Sequence, residues 1–241
     1  MIIGPDSFSS RQLPIRHLPR PQGKAVHLWY LDFNQLTNPL NSGSGVEYNK
    51  LSVFQNRTTR RFYLRLILGA YLGIPGKDVI INRRLKGRPE LDSGQSQGLL
   101  DFSVARSAAG YLIGISSGAT IGVDLEIASR RVGKPLALAR RYFSEDETAA
   151  LSALSEADLH RAFLHTWSCK EAVVKASGLG IANQLCRFTV DVNPANPPAI
   201  LAMPDDDHSA WELAIARPAH GAIAAIAVRQ PAIEVQGFSL S

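Results

Sequence analysis

The chain has 241 residues, 45% of them apolar and 20% charged, a length for one large domain or two small ones and a composition that excludes extensive disorder. No apolar run approaches the ~20 residues of a membrane span, the first residues lack the charged-then-apolar order of a signal peptide, and two cysteines, Cys169 and Cys186, make neither a disulfide framework nor a zinc site. A reducing, cytoplasmic setting is expected. The formal charge of +5 is uneven: residues 1–100 carry 14 basic and 6 acidic side chains, residues 101–241 carry 12 and 15, so the halves stand at +8 and −3. Nine of the basic residues and one acid, Asp78, fall between Arg57 and Arg88. Such a block attracts phosphate, and the acidic half suits a cation.

In chain order, residues 1–25 are rich in Pro and Arg without periodicity and read as a loosely held arm. VHLWYLDF (26–33) reads as a strand and the turn-rich 34–49 as a loop. RTTRRFYLRLILGAYLG (57–73) reads as a helix stopped by Gly73 and Pro75, with Arg57, Arg61 and Arg65 on one face. DVIINRR and the turn LKGRPEL follow, then 92–98 as a mobile loop. DFSVARS, YLIGIS and IGVDLEI read as three short strands joined by AAG and SGAT. A helical region over 134–154 precedes the strongest helix signal, 159–178, which Gly178 and Gly180 end. RFTVDV, AWELAIA and AIAAIAV are strand candidates, Cys186 is expected buried at the start of the first, and DDDH (205–208) reads as a solvated turn. Helices mixed with antiparallel strands make the class α+β.

Two elements hold residues that can carry chemistry. In IGVDLEI, Ile121, Val123, Leu125 and Ile127 alternate with Gly122, Asp124 and Glu126. A strand puts i and i+2 on one face, so the two carboxylates project together. They repel unless a cation lies between them, and Mg²⁺ favours a few carboxylate oxygens together with water and phosphate. A solvated strand face is the plain alternative for a D-x-E pair alone. In WSCKEAVVKASGLG (167–180), Trp167, Glu171 and Lys175 are four apart on one helix face, with Lys170 adding a second ammonium. Taken alone, that is a surface Glu–Lys pair worth about 0.3–0.5 kcal/mol beside a core Trp. Cys169 reads as a packing thiol, and the six histidines show no metal-ligand spacing.

Together, IGVDLE and WSCKEAVVKASGLG resemble the paired hallmark of the larger, Sfp-like monomeric phosphopantetheinyl transferases, (I/V)G(V/I)D(I/L)E followed some forty residues later by W-(S/T)-x-K-E-(A/S)-x-x-K-x-x-G-x-G, with every fixed position filled. RRYFSEDE (140–147) and KGRPEL (86–91) are similar to the family's connecting segment and its GKPxL turn, and the resemblance spans about residues 26–230. It implies two α+β subdomains of similar size, residues 1–118 and 119–241, related by an approximate two-fold, with the active site in the cleft between them. Asp124, Glu126 and Glu171 would be Mg²⁺ ligands, and Glu171 and Lys175 the catalytic groups. Lys175, Arg61 or Arg65, Lys86 and Arg88 would contact coenzyme A, the guanidinium groups gripping phosphate through paired hydrogen bonds. The implied reaction moves 4′-phosphopantetheine from coenzyme A to a serine of an apo acyl or peptidyl carrier protein and releases adenosine 3′,5′-bisphosphate. A cytoplasmic monomer serving secondary-metabolite synthesis is the implied setting, without nucleic acid or membrane as partner.

The chain also departs from the family. Where relatives carry Ser-His-Ser, it reads Ala105-Arg106-Ser107. Arg106 keeps a cationic donor and is expected on a coenzyme A phosphate, emerging at the strand's end. The rival reading is a catalytically impaired homologue that binds coenzyme A or a nucleotide without turnover. A nucleic-acid binder is disfavoured, since Phe62 and Tyr63 lie in a Leu- and Ile-rich helix rather than on an exposed stacking surface.

Overall fold

The structure is a computed structural model that describes residues 2–4, 8–36, 53–83, 88–178, 180 and 184–240. Strands β1 (Ile2–Ile3), β2 (Phe8–Arg11) and β3 (Ala25–Asp32) precede helix α1 (Val53–Leu72). A short ladder of β4 (Ile81–Arg83) and β5 (Pro89–Leu91) leads to a single helical turn, α2 (Ser93–Ser96). Next come β6 (Asp101–Ser107), β7 (Gly110–Ser116) and β8 (Ile121–Ile127), then α3 (Pro135–Tyr142), α4 (Glu145–Ser152) and α5 (Glu156–Ser177). The chain continues through β9 (Thr189–Val190), β10 (Ile200–Ala202), β11 (Glu212–Ala216), β12 (Ala222–Val228) and β13 (Glu234–Leu240). The fold is mixed α+β, and among the described residues no helix is long and apolar enough to cross a membrane.

Two sheets form the centre. One has five strands in the order β2-β13-β3-β7-β6, the other four in the order β1-β11-β12-β8. The period-2 alternation of side chains sorts each strand between two layers. On β3, Trp29 and Leu31 join Phe102, Ile113 and Ile115 beneath α1, whose Tyr63, Leu64, Ile67, Leu68 and Tyr71 supply the covering face. The other face of β3, with Val26, Leu28 and Tyr30, packs on Ile121, Val123, Leu125, Ala224 and Ile226 of the second sheet. The far face of the second sheet, with Leu213, Ile215, Ala225 and Ala227, lies under Ala172, Val173 and Ala176 of α5. The layers therefore run α1, sheet, sheet, α5. Between the sheets, the side chains of Asp101 and Ser103 on β6 accept the N–H groups of Ile121 (3.0 Å) and Val123 (3.1 Å) on β8.

Several sequence expectations are corrected. The N-terminal arm is not loose: β2 pairs parallel with β13, Leu18 N–H donates to the Ala70 carbonyl (3.0 Å), and Ile15 and Leu18 pack on the core under α1. Proline and arginine obscured a stretch whose order comes from distant partners. Part of the 92–98 loop is helical, because Asp92 Oδ1 accepts the N–H groups of Gly94 and Gln95 as an N-cap. The 134–154 region is two helices. Phe143 is extended, and Ser144 starts α4 with a capping box to Glu147. RFTVDV yields only the two-residue β9, preceded by a 3₁₀ turn in which Cys186 is exposed. DDDH is more than a solvated turn: Asp206 pairs with Arg229 and accepts from Trp211 Nε1 (2.9 Å). The expected loop 34–49 lies outside the described residues from position 37 onward. Two strands cross the division expected at residue 118: β1 pairs with β11, and β13 lies between β2 and β3.

At the centre of the first core the Tyr71 hydroxyl accepts from Trp29 Nε1 (2.9 Å) and lies 2.7 Å from His27 Nδ1. With Trp29 donating, the Tyr71 proton is free to go to His27, which must then be neutral. Burial lowers the His27 pKa below its ordinary 6.5 and does the same for His165. Below that value the unfolded chain takes up protons that the fold refuses, so stability is complete above about pH 6.5 and falls as the pH drops through and below it. Urea unfolding between pH 7.5 and 5 should show this decline, with a shallower slope in His27→Gln.

The packing of α5 on β8 is unusually close. A Cβ at Gly122 would collide with the Ala172 carbonyl oxygen and the Ala176 nitrogen, so only glycine lets helix backbone meet strand there, opposite two alanines. Both obstacles are backbone atoms and cannot turn aside. Gly122→Ala should therefore lose about 1–3 kcal/mol of stability in chemical denaturation.

Candidate active site

The even face of β8 looks at α5, so Asp124 and Glu126 are only 5% and 4% exposed, and the solvated-face alternative is excluded. Their opposite number is the Glu171–Lys175 face of α5, which stays four-spaced over a continuous helix. Lys175 Nζ is 2.6 Å from Asp124 Oδ1 and 3.3 Å from Glu171 Oε2. Arg130, four residues beyond Glu126, folds back to pair with its Oε1. Asp124 Oδ2 is buried and, among the described residues, has no hydrogen-bond partner.

The charges act on one another. Burial and the Asp124 carboxylate push Glu126 up to about 7, against the pull of Arg130 and Lys175. Burial and Asp124 likewise raise Glu171, which Lys175 counters. Burial works to lower Lys175, but Asp124 and Glu171 overcome it and raise the ammonium pKa, so Lys175 stays protonated.

Lys170, one position before Glu171, points elsewhere because successive helix residues are about 100° apart. It is fully buried, donates to Glu147 Oε1 (2.7 Å) and to the Phe188 carbonyl, and lies 4.2 Å from the Phe188 ring centroid. Glu147 also accepts from Val190 N–H (2.8 Å) and Ser144 N–H (2.9 Å). This network ties α4 and β9 to α5 and is structural. Cys169 is fully buried, with its thiol pushed up to about 12 chiefly by desolvation, consistent with a packing role.

The second constellation is a cleft of about 430 Å³ on the α1 side of the first sheet. Arg57, Arg60, Arg61 and Arg65 of α1, Arg83 of β4 and Arg106 of β6 line it, with Tyr111 and Pro89. Arg61, Arg65 and Arg106 are thus brought together. Arg106 extends from the Phe102–Val104 face, past the apolar layer, and is exposed. Among the described residues Arg57, Arg61, Arg83 and Arg106 pair with no carboxylate. So many guanidinium groups left without acids make an anion site. The helical spacing marked Arg57; the β4–β5 hairpin brings in Arg83, which the sequence marked only as part of the basic block between Arg57 and Arg88.

Arg88 is not in that cleft. It pairs with Asp101 and donates to the Ile121 carbonyl (3.0 Å), bracing β6 against β8. Lys86 lies outside the described residues. Arg130 escaped the sequence reading because a strand end followed by a turn has no spacing rule that aims residue 130 at residue 126.

The donors near Asp124 suit a hard divalent cation: three carboxylates, one with an orphaned buried oxygen. No three His, Cys, Asp or Glu side chains among the described residues converge as a ready metal cage. Lys175 and Arg130 instead hold the oxygens such an ion would use. The hydrogen bonds from Ile121 to Asp101 and from Val123 to Ser103 set β6 and β8 running in the same direction, so Arg106 and Glu126 both fall in the last residues of their strands, the first on the α1 side and the second on the α5 side. The arginine cleft and the carboxylates therefore emerge at the same end of these two strands.

Comparison with known proteins agrees. A family model described as the 4′-phosphopantetheinyl transferase superfamily matches residues 120–227. The 4′-phosphopantetheinyl transferase HetI of Nostoc sp. is 30% identical over 88% of this chain and 92% of its own length. A putative 4′-phosphopantetheinyl transferase, slr0495, of Synechocystis sp. is 32% identical over 70% of this chain and 67% of its own. The 4′-phosphopantetheinyl transferase psf-1 of Bacillus pumilus is 30% identical over 60% and 58%. With one such relative matched over nearly its whole length, and with the paired strand and helix motifs facing each other across Gly122, the chain belongs to the 4′-phosphopantetheinyl transferase superfamily.

Proposed function

We propose that this enzyme transfers the 4′-phosphopantetheine group of coenzyme A to a serine hydroxyl of an apo acyl or peptidyl carrier protein. What supports this reading is a buried carboxylate–lysine cluster near the end of β8 together with an arginine-lined cleft that takes in Arg106 near the end of β6. Coenzyme A has the matching shape of charge: a nucleotide end with a 3′-phosphate and a pyrophosphate farther along. Arg106, with Arg61 and Arg65, takes the 3′-phosphate end, and Lys175 takes a pyrophosphate oxygen. The two sheets, each covered by one long helix, would be halves related by an approximate two-fold, with the reaction at the end of their edge strands β6 and β8.

Asp124, Glu126 and Glu171 would hold Mg²⁺, whose charge offsets that of the pyrophosphate. The serine oxygen attacks the phosphorus that bears the pantetheine arm, and the bond from that phosphorus to the bridging oxygen breaks. Adenosine 3′,5′-bisphosphate leaves. Glu171 would receive the serine proton, directly or through a water molecule. Lys175, held protonated by its acidic neighbours, stabilises the departing phosphate.

Incubation of an apo carrier protein with this enzyme, coenzyme A and Mg²⁺ should add the mass of one phosphopantetheine group in mass spectrometry. Coenzyme A binding with no mass gain on any of a panel of acyl and peptidyl carriers would support the impaired-homologue reading instead. Asp124→Ala should lower turnover on the order of 10²-fold or more while the protein stays folded. Arg106→Ala should raise the KM for coenzyme A about 10-fold, with a smaller change in kcat, because the contact exists before and during the transition state. Arg106→His should recover part of the loss.

A further inference from the structure

Arg130 takes no part in the transfer reaction as described above, yet its pairing with Glu126 is geometrically prepared. Strand β8 ends at Ile127, and the following turn is fixed by Arg130 N–H donating to the Ile127 carbonyl (2.8 Å) and Ala128 N–H to the Gly221 carbonyl (2.7 Å). The Arg130 carbonyl lies 2.7 Å from His160 Nε2 near the start of α5. The backbone at 130 is thus clamped between β12's approach and α5, and the side chain is aimed back at Glu126. The pair is lopsided in burial: the Arg130 side chain is 51% exposed, that of Glu126 only 6%. Arg130 can therefore leave for water at little cost, while Glu126 cannot.

The balance of charge determines when Arg130 leaves. With all three carboxylates ionised, Asp124, Glu126 and Glu171 carry three negative charges against two positive charges on Lys175 and Arg130, leaving −1 in a largely buried space. A divalent cation entering this set would reverse the sign to +1 while both cations remain in place. With Arg130 withdrawn the same ion brings the cluster to neutrality, and a diphosphate arriving with the ion draws Lys175 to itself.

We propose that Arg130 is a built-in counter-ion that competes with the divalent cation for Glu126, so that the metal binds the free protein weakly and binds well only together with a diphosphate ligand. This rests on the assignment of Asp124, Glu126 and Glu171 as metal ligands. Arg130 touches neither reacting atom and acts by positioning Glu126. Its release is the step that admits the ion.

The test is Mn²⁺ binding, followed by electron paramagnetic resonance of the free ion, with and without coenzyme A, on the full chain. Wild type should bind Mn²⁺ weakly alone and more tightly with coenzyme A. Arg130→Gln should bind Mn²⁺ alone roughly 10-fold more tightly, from the loss of a cation a few ångströms away, and should show a smaller gain on adding coenzyme A. Arg130→Lys should lie near wild type. Arg131→Gln, which removes a neighbouring charge that has no carboxylate partner among the described residues, should match wild type. Unchanged or weaker Mn²⁺ affinity in Arg130→Gln overturns the proposal, as does an equal gain in Arg131→Gln, which would mean a general field. If neither wild type nor any variant binds Mn²⁺ with or without coenzyme A, the metal assignment itself falls, and this proposal with it.

Discussion

Helix α5 and strand β8 meet backbone to backbone at Gly122, and the spacing set there fixes how far Glu171 and Lys175 stand from Asp124 and Glu126. A side chain at 122 would widen the gap, and the Lys175 bridge between two carboxylates spans only 2.6 and 3.3 Å. The contact needs smallness on both sides, glycine on the strand and Ala172 and Ala176 on the helix. Gly114 has a similar role in the next layer inward, where a Cβ would strike Val123 and Ile121 and lift β7 off β8. The carboxylate strand is thus approached closely from both faces, which leaves its polar side chains little freedom to reorient.

That rigidity has an electrostatic counterpart. α5 carries two lysines that face different carboxylates in different surroundings. Lys170 is sealed with Glu147 beneath aromatic rings, and Ser144, Phe188 and Val190 supply further hydrogen bonds to the pair. A buried pair of this kind holds helices in register, and breaking one partner is costly. Lys175 is only partly covered, and among the described residues one oxygen of Asp124 has no hydrogen-bond partner. One helix therefore supplies a closed ion pair for architecture and an open one for chemistry, five residues apart.

The local elements were legible in the sequence because their signals were local. The limits of β8 and β12, the helical stop at Gly178 and the alternation of β8 follow from periodicity and turn residues. Asp124, Glu126, Glu171 and Lys175 were recognisable as a set through motif and spacing, and Arg61, Arg65 and Arg106 through the family resemblance. What escaped depends on partners far away in the chain. Arg88 reads as a phosphate ligand until Asp101 is seen beside it. The N-terminal arm reads as loose until β13 is seen to pair with it. Arg130 reads as one more surface charge until the turn after β8 sends it back to Glu126. No short-range pattern encodes such encounters, since each is created by the packing of elements that are themselves separately predictable.

The placement of β13 sets an order for making the protein. This strand is interior to the five-stranded sheet, parallel to both β2 and β3, yet it is encoded some 200 residues after them. During synthesis β3 can pair with β7 and receive α1 early, but its other edge stays open until residues 234–240 have left the ribosome. Through that interval the nascent chain carries an unpaired strand edge and an aromatic face at Trp29 that Phe238 will later stack upon. Exposed edges of this kind recruit other chains. A ribosome pausing at any point between the emergence of β3 and that of β13 would therefore prolong the interval in which this edge is open.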